Sequence, residues 1–109
     1  MSTLNIQKVV LGGLSPTYAA ASAGGNEFEN SGREFIHVKN GHTSPQTVTV
    51  NSQVVCNQGF DHDVAVAIPA SEERMIGPFP QSRFNDAGGK VQVTYSGVTA
   101  LTIAAVQVA

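Results

Sequence analysis

Lys90-Val91-Gln92-Val93-Thr94-Tyr95-Ser96 alternates strictly between polar and apolar side chains. Successive residues of a strand point to opposite faces, so Val91, Val93 and Tyr95 share one face and Lys90, Gln92, Thr94 and Ser96 the other. The pattern predicts a half-buried strand, and Ser96-Gly97 ends it with a turn signal. Working outward, Arg33 to Lys39 repeats the motif, with Ile36 and Val38 opposite Phe35 and His37. Asn40-Gly41 follows, both residues accepting positive φ. Gln46 to Val55 places Val48 and Val50 against Thr47, Thr49 and Asn51, so the spacing predicts a hairpin with its loop near residues 40–45.

Further strands are expected at Val64 to Ile68, ended by Pro69, at Glu73 to Phe79, and at Leu101 to Val108. The last is apolar on both faces over part of its length, which suits a central or covered strand. Residues 56–63 read as a connection and Gln81 to Gly89 as a polar loop. No convincing helix is found. Six to eight short strands with turn signals every 8–12 residues predict one small all-β domain, a β-sandwich or jelly-roll-like fold or a small barrel. The inward set is Val91, Val93, Tyr95, Ile36, Val38, Val48, Val50, Val66 and Ile68.

Residues 1–30 differ from 31–109, the β-sandwich portion. Leu4 to Leu11 could be one strand, with Leu4, Ile6 and Val10 inward. Gly12-Gly13, Pro16, Ala19-Ala20-Ala21 and Gly24-Gly25 follow, rich in small residues. This stretch is read as an N-terminal arm or long loop; Ala19 to Ala23 could make a helical turn, though five residues are marginal alone. Residues 12–27 hold too few large apolar groups to offset the backbone ordering cost of roughly 1–2 kcal/mol per residue. They are expected to be mobile until a partner covers them.

The length, 109 residues, suits one core and not two. Charged residues are 13%, about half a typical globular share, which favours a surface that meets neighbours with few ions to desolvate. Net charge is −2 and the six Lys and Arg are scattered, so no nucleic-acid stripe exists. No run approaches the roughly 18 apolar residues of a membrane span. Val9-Val10-Leu11 is too short for a signal peptide, and Cys56, the only cysteine, allows no internal disulfide.

No catalytic, cofactor or metal site is expected. Asp61-His62-Asp63 places consecutive side chains on opposite sides, ill-suited to one ion. His37 reads as a half-buried sheet residue and His42 as solvated. Cys56 lacks a nearby base to activate it. No serine sits in a nucleophile elbow, and no Gly-Gly pair joins a strand to a helix. Ile76-Gly77-Pro78-Phe79-Pro80 is the most distinctive local feature. Its prolines fix φ and remove donors, so Phe79 is either a rigid contact anchor or the core residue of a kinked crossover. Leu14, Tyr18, Phe28, Pro78, Phe79 and Pro80 are the candidate protein-contact residues.

Two stretches resemble small structural proteins of tailed bacteriophages. One is Gly32-Arg33-Glu34-Phe35-Ile36-His37-Val38-Lys39-Asn40-Gly41 with the Thr/Val strand at 46–50. The other runs from Ile68-Pro69-Ala70-Ser71-Glu72-Glu73-Arg74-Met75-Ile76 through Pro80, then Phe84-Asn85-Asp86 and residues 91–96. The resemblance covers residues 32–108. It implies a head decoration (cement) protein made in the host cytoplasm and carried on the capsid exterior. Its partners would be the major capsid protein and neighbouring copies of itself, with no direct nucleic acid or membrane contact. The alternatives are a head–tail connector or tail protein, or a carbohydrate- or ligand-binding β-sandwich. Five Phe, two Tyr and no Trp leave little aromatic surface for a sugar binder.

Overall fold

The computed structural model describes residues 1–53 and 63–108. Among the described residues the chain forms ten strands and one helical turn: β1 (Ser2–Thr3), β2 (Ile6–Lys8), β3 (Ala19–Ala20), β4 (Asn26–Glu29), β5 (Glu34–Asn40), β6 (Gln46–Val50), β7 (Val64–Ile68), β8 (Glu73–Ile76), α1 (Gln81–Phe84), β9 (Lys90–Tyr95) and β10 (Leu101–Gln107). The strands build two mixed sheets that are not closed into a barrel, which removes the barrel alternative. Sheet I has the order β1-β4-β9-β6-β7, and sheet II the order β2-β10-β5-β8, with β3 also paired to β10.

The period-2 reading places the core. Val91, Val93, Ile36, Val38, Val48, Val50 and Ile68 are all fully buried, and Val66 and Tyr95 pack against the same cluster from its edge. Ile103 and Ala105 complete it from β10, which is flanked by β5 on one side and by β2 and β3 on the other, as its two-faced apolarity predicts.

The expected hairpin at 40–45 is not formed. β5 belongs to sheet II and β6 to sheet I, so this segment turns the chain from one sheet to the other. The Asn40 side chain makes the corner. Its Nδ2 donates to the carbonyls of Ser44 and Ile68, both at 3.0 Å, and its Oδ1 accepts from His42 N–H at 3.0 Å and Gln46 Nε2 at 2.8 Å. Backbone groups that a hairpin ladder would have paired are satisfied by one amide instead.

Three other expectations are corrected. Leu4 to Leu11 is not one strand: β1 joins sheet I and β2 joins sheet II, with Leu4 buried at the crossing and Val10 exposed rather than inward. The polar loop at 81–89 contains α1, and Phe84 is buried at its end. Its ring meets Phe79 at 5.6 Å between centroids, and Phe79 meets Phe28 at 5.7 Å. This aromatic cluster draws the Pro78–Pro80 segment inward. The strand from Gln46 ends at Val50, and its expected continuation through Val54 and Val55 lies outside the described residues.

Residues 1–30 are built into both sheets rather than attached to them. β4 pairs with β9, β1 with β4, β2 with β10, and Ala19–Ala20 form strand β3 rather than a helical turn. Within residues 12–27, Ala19–Ala20 pair with β10, and Asn26 and Glu27 pair with β1 and β9.

Candidate protein-contact surface

The outward faces of the two sheets differ in chemistry. Sheet I presents Glu27 and Glu29 from β4, Gln92 and Thr94 from β9, Thr47 and Thr49 from β6, and Ala65 and Ala67 from β7. That is a polar or small-residue face, with Lys90 paired to Glu27 at 3.4 Å.

Sheet II is different. Strand alternation turns Phe35, His37 and Lys39 of β5 away from the core, because Ile36 and Val38 face it. Register then sets rows across the sheet. Lys39 lies between Thr102 and Glu73; His37 lies between Ala104 and Met75; Phe35 lies beside Val106, which neighbours Gln7. At the end of the sheet, Val108 N–H donates to the Arg33 carbonyl at 2.9 Å and Val9 N–H to the Gln107 carbonyl at 3.0 Å. The composition changes along the face, from Lys39, Glu73 and Thr102 at one end to Val9, Val106, Val108 and Phe35 at the other.

Residues 17–18 lie against the middle of this face. Gln7 Nε2 donates to the Thr17 carbonyl and Gln7 Oε1 accepts from Thr17 N–H, both at 2.8 Å. Tyr18 Oη is 2.6 Å from His37 Nδ1, and His37 Nε2 is 2.9 Å from Glu73 Oε1. Lys39 Nζ sits 4.1 Å from the Tyr18 ring centroid, a cation–π arrangement. Tyr18 thus spends its hydroxyl and ring on its own sheet. Ala104 and Val106, although they point away from the core, are buried.

Beyond Tyr18 the face is open and apolar. The large hydrophobic side chains exposed among the described residues are Met1, Val9, Val10, Leu11, Met75 and Val108. All but Met1 border this end of sheet II. Leu11 sits at the tip of a turn closed by Gly13 N–H to the Val10 carbonyl at 3.0 Å, and Gly13 there takes φ +97°. Across the sheet, Phe35, Met75, Ile76, Gly77 and Pro78 line a depression of about 170 Å³.

The six expected contact residues divide. Phe28 and Phe79 are core residues, covered by their own chain, and leave the surface. Pro78 and Pro80 are exposed, and Pro78 borders the depression; Leu14 and Tyr18 are half-buried. Sequence reading missed Met75, Phe35, Val108 and the Val9–Leu11 turn. A signal existed for the last: an apolar triplet directly before Gly12-Gly13 is positioned for a turn tip as readily as for a strand end.

Two larger clefts, of about 410 and 400 Å³, lie beside Gln7 and Tyr18 and beside Glu29 and Glu34. Glu34 is not free for chemistry. Burial pushes its carboxyl up, but hydrogen bonds from Ser31 N–H, the Gln107 amide, the Ser31 hydroxyl and Arg33 N–H outweigh that and hold it below the ordinary value. Among the described residues no cluster of three His, Cys, Asp or Glu could hold a metal ion. Cys56 and the pair Asp61-His62 lie outside the described residues; Asp63 accepts from Ser52 N–H at 2.7 Å. No protein-family model, curated protein or solved structure matches this chain.

Proposed function

We propose that this chain is a structural virion protein that lays one face of a β-sandwich of the jelly-roll kind against the outside of a bacteriophage capsid. The observation that carries the reading is the asymmetry of the two faces. Exposed large apolar side chains border one end of sheet II, while the opposite face is polar. Exposed large apolar side chains gathered at one end of a single face suit a surface that meets another protein. The polar face would look outward to solvent.

Two stacked sheets would suit this role. Both sheets contribute to one core cluster, and the shortest dimension of 20 Å suits two layers about 10 Å apart with their side chains. A slab of this shape covers area cheaply for its mass. The choice of capsid protein as partner rests on the phage-protein resemblance of residues 32–108. A ligand-binding module is disfavoured by the aromatics: Phe28, Phe79 and Phe84 are all committed to the core.

Quantitative mass spectrometry of purified virions tests the proposal. A copy number comparable with that of the major capsid protein is expected. A copy number limited to a single ring would indicate a connector, and absence from the particle would end the virion reading.

A further inference from the structure

We propose that Asn40-Gly41 is a deamidation site that the fold keeps closed, so that the reaction runs from the unfolded chain and there makes unfolding irreversible. It is the one Asn-Gly pair in the sequence. The site is independent of the partner of sheet II.

In an unfolded chain the chemistry needs only water. The Gly41 backbone nitrogen attacks Asn40 Cγ. An N–Cγ bond forms, the nitrogen gives up its proton to water, and the side-chain amide leaves as ammonia. Water then opens the five-membered succinimide that results. Attack at Cγ restores the ordinary backbone and leaves an aspartate at position 40. Attack at the main-chain carbonyl routes the chain through the side chain and leaves an isoaspartate. Glycine has no Cβ to shield its nitrogen or restrict its approach, which makes this dipeptide the readiest to react.

Three observations close the site in the folded domain. The nucleophile is engaged: Gly41 N–H donates to the Ala100 carbonyl at 2.9 Å. The backbone is pinned: Asn40 is the last residue of β5, stands in register with Leu101 of β10, and donates its own N–H to the Glu72 carbonyl at 2.9 Å. Ring closure needs rotation about the Asn40 Cα–C bond out of the extended setting of a strand, which would break these bonds. The leaving group is held as well. Nδ2 donates to the Ser44 and Ile68 carbonyls and lies 3.3 Å from the Pro69 carbonyl, while Oδ1 accepts from His42 N–H and Gln46 Nε2. Asn40 is buried, which keeps from it the water that both steps consume.

The product does not fit the corner. A carboxylate at position 40 has no N–H for the Ser44 and Ile68 carbonyls and sets its own oxygens against them in a buried place. An isoaspartate lengthens the main chain by one carbon where β5 hands over to β6. Either one bars return, so a chain that deamidates while unfolded stays unfolded.

Peptide mapping by mass spectrometry of the whole wild-type protein at mildly alkaline pH tests the gate. Conversion at Asn40 in native buffer should be at least about a hundredfold slower than in denaturing urea. Below the unfolding midpoint it should rise in proportion to the unfolded fraction measured on the same samples. A native rate within about threefold of the unfolded one overturns the proposal. So does a slow native rate that stays flat as the unfolded fraction climbs, because the corner would then open locally. The lock is read separately. Chains deamidated at Asn40 alone in urea, isolated by ion exchange, should fail to refold on dilution, whereas chains held equally long in mildly acidic urea, with the amide intact, should refold. Asn40→Asp, which carries the ordinary product directly, should melt below the wild type or not fold. Recovery of the wild-type melting temperature by either overturns the lock.

Discussion

Tyr18 and His37 meet edge to face, with ring centroids 5.5 Å apart and the phenol oxygen 2.6 Å from Nδ1. A neutral imidazole protonated at Nε2 satisfies every partner: Nε2–H donates to Glu73 and Nδ1 accepts from the Tyr18 hydroxyl. One side chain thereby joins positions 19 residues apart in sequence, Tyr18 to His37 of β5.

Tyr18→Phe keeps the ring and the Lys39 contact and removes only the hydroxyl. It should cost about 0.5–1.5 kcal/mol, the usual net worth of one such bond. Hydrogen exchange should quicken across residues 12–20 more than in β9. Exchange that is already fast there in the native protein would mean that the arm is held too weakly for this bond to matter.

Val93 sits wholly buried in β9, opposite Asn26 and Val50 in the two flanking strands. Val93→Ala removes two methyl groups from a closed core and should destabilise by roughly 1–3 kcal/mol. Thr94→Ala, one residue along on the outer face of sheet I, should change stability by less than about 0.5 kcal/mol. Urea midpoints of the two variants check the face assignment directly.

The same contrast explains how far the sequence was readable. Alternation along Lys90–Tyr95 and Arg33–Lys39 located the core, because strand geometry alone decides which side chains share a face. Pairing partners were not legible: Asn40-Gly41 is a hairpin signal locally, but Asn40 faces Ile68 and Gln46 and turns a corner between sheets. Phe84 was hidden in a polar stretch because one aromatic on a single helical turn has no period. The contact face was the least legible part. Met75 and Val108 become neighbours of Phe35 only through the register of β8, β5 and β10, which nothing local encodes.

Asn40→Ala should therefore be costly. It removes the amide that donates to the Ile68 carbonyl in a buried corner, a loss of about 1–3 kcal/mol when a buried group is left without its partner, while Gln46 Nε2 loses Asn40 but keeps the Thr99 carbonyl at 2.9 Å. Asn40→Asp removes the donor to Ser44 and Ile68 and should fail to rescue it. Thermal denaturation of both variants provides the comparison.

Glu34 makes stability depend on pH in a defined direction. Its folded-state carboxyl titrates below the ordinary glutamate value of 4.5, so the charged form is favoured by folding. That contribution is fully present above the unfolded value and is lost as pH falls through the folded one. Stability should drop on acidification below about pH 4.5, and Glu34→Gln should show lower stability at pH 7 with a shallower acid limb. An unchanged acid limb in the variant would assign the acid sensitivity to other carboxylates, first to Asp86, which Gln92 and the Lys90 N–H hold below its ordinary value.

Gly77 lies where the chain leaves β8 close against β5. Its φ of +133° is one that side-chain-bearing residues rarely adopt, and a Cβ there would fall 2.9 Å from Phe35 Cα and Cβ and 3.2 Å from the Glu34 carbonyl. These are atoms at the base of β5, not the tip of a flexible side chain, so the backbone of β8 itself would have to shift. Gly77→Ala should destabilise by more than about 1 kcal/mol, with an unchanged urea m-value if the fold survives. Gly12→Ala is the matched control: its Cβ would meet nothing within 4 Å, so its effect should stay within about 0.5 kcal/mol. Equal stability losses in the two variants would show that β8 does not pack on β5 as closely as described.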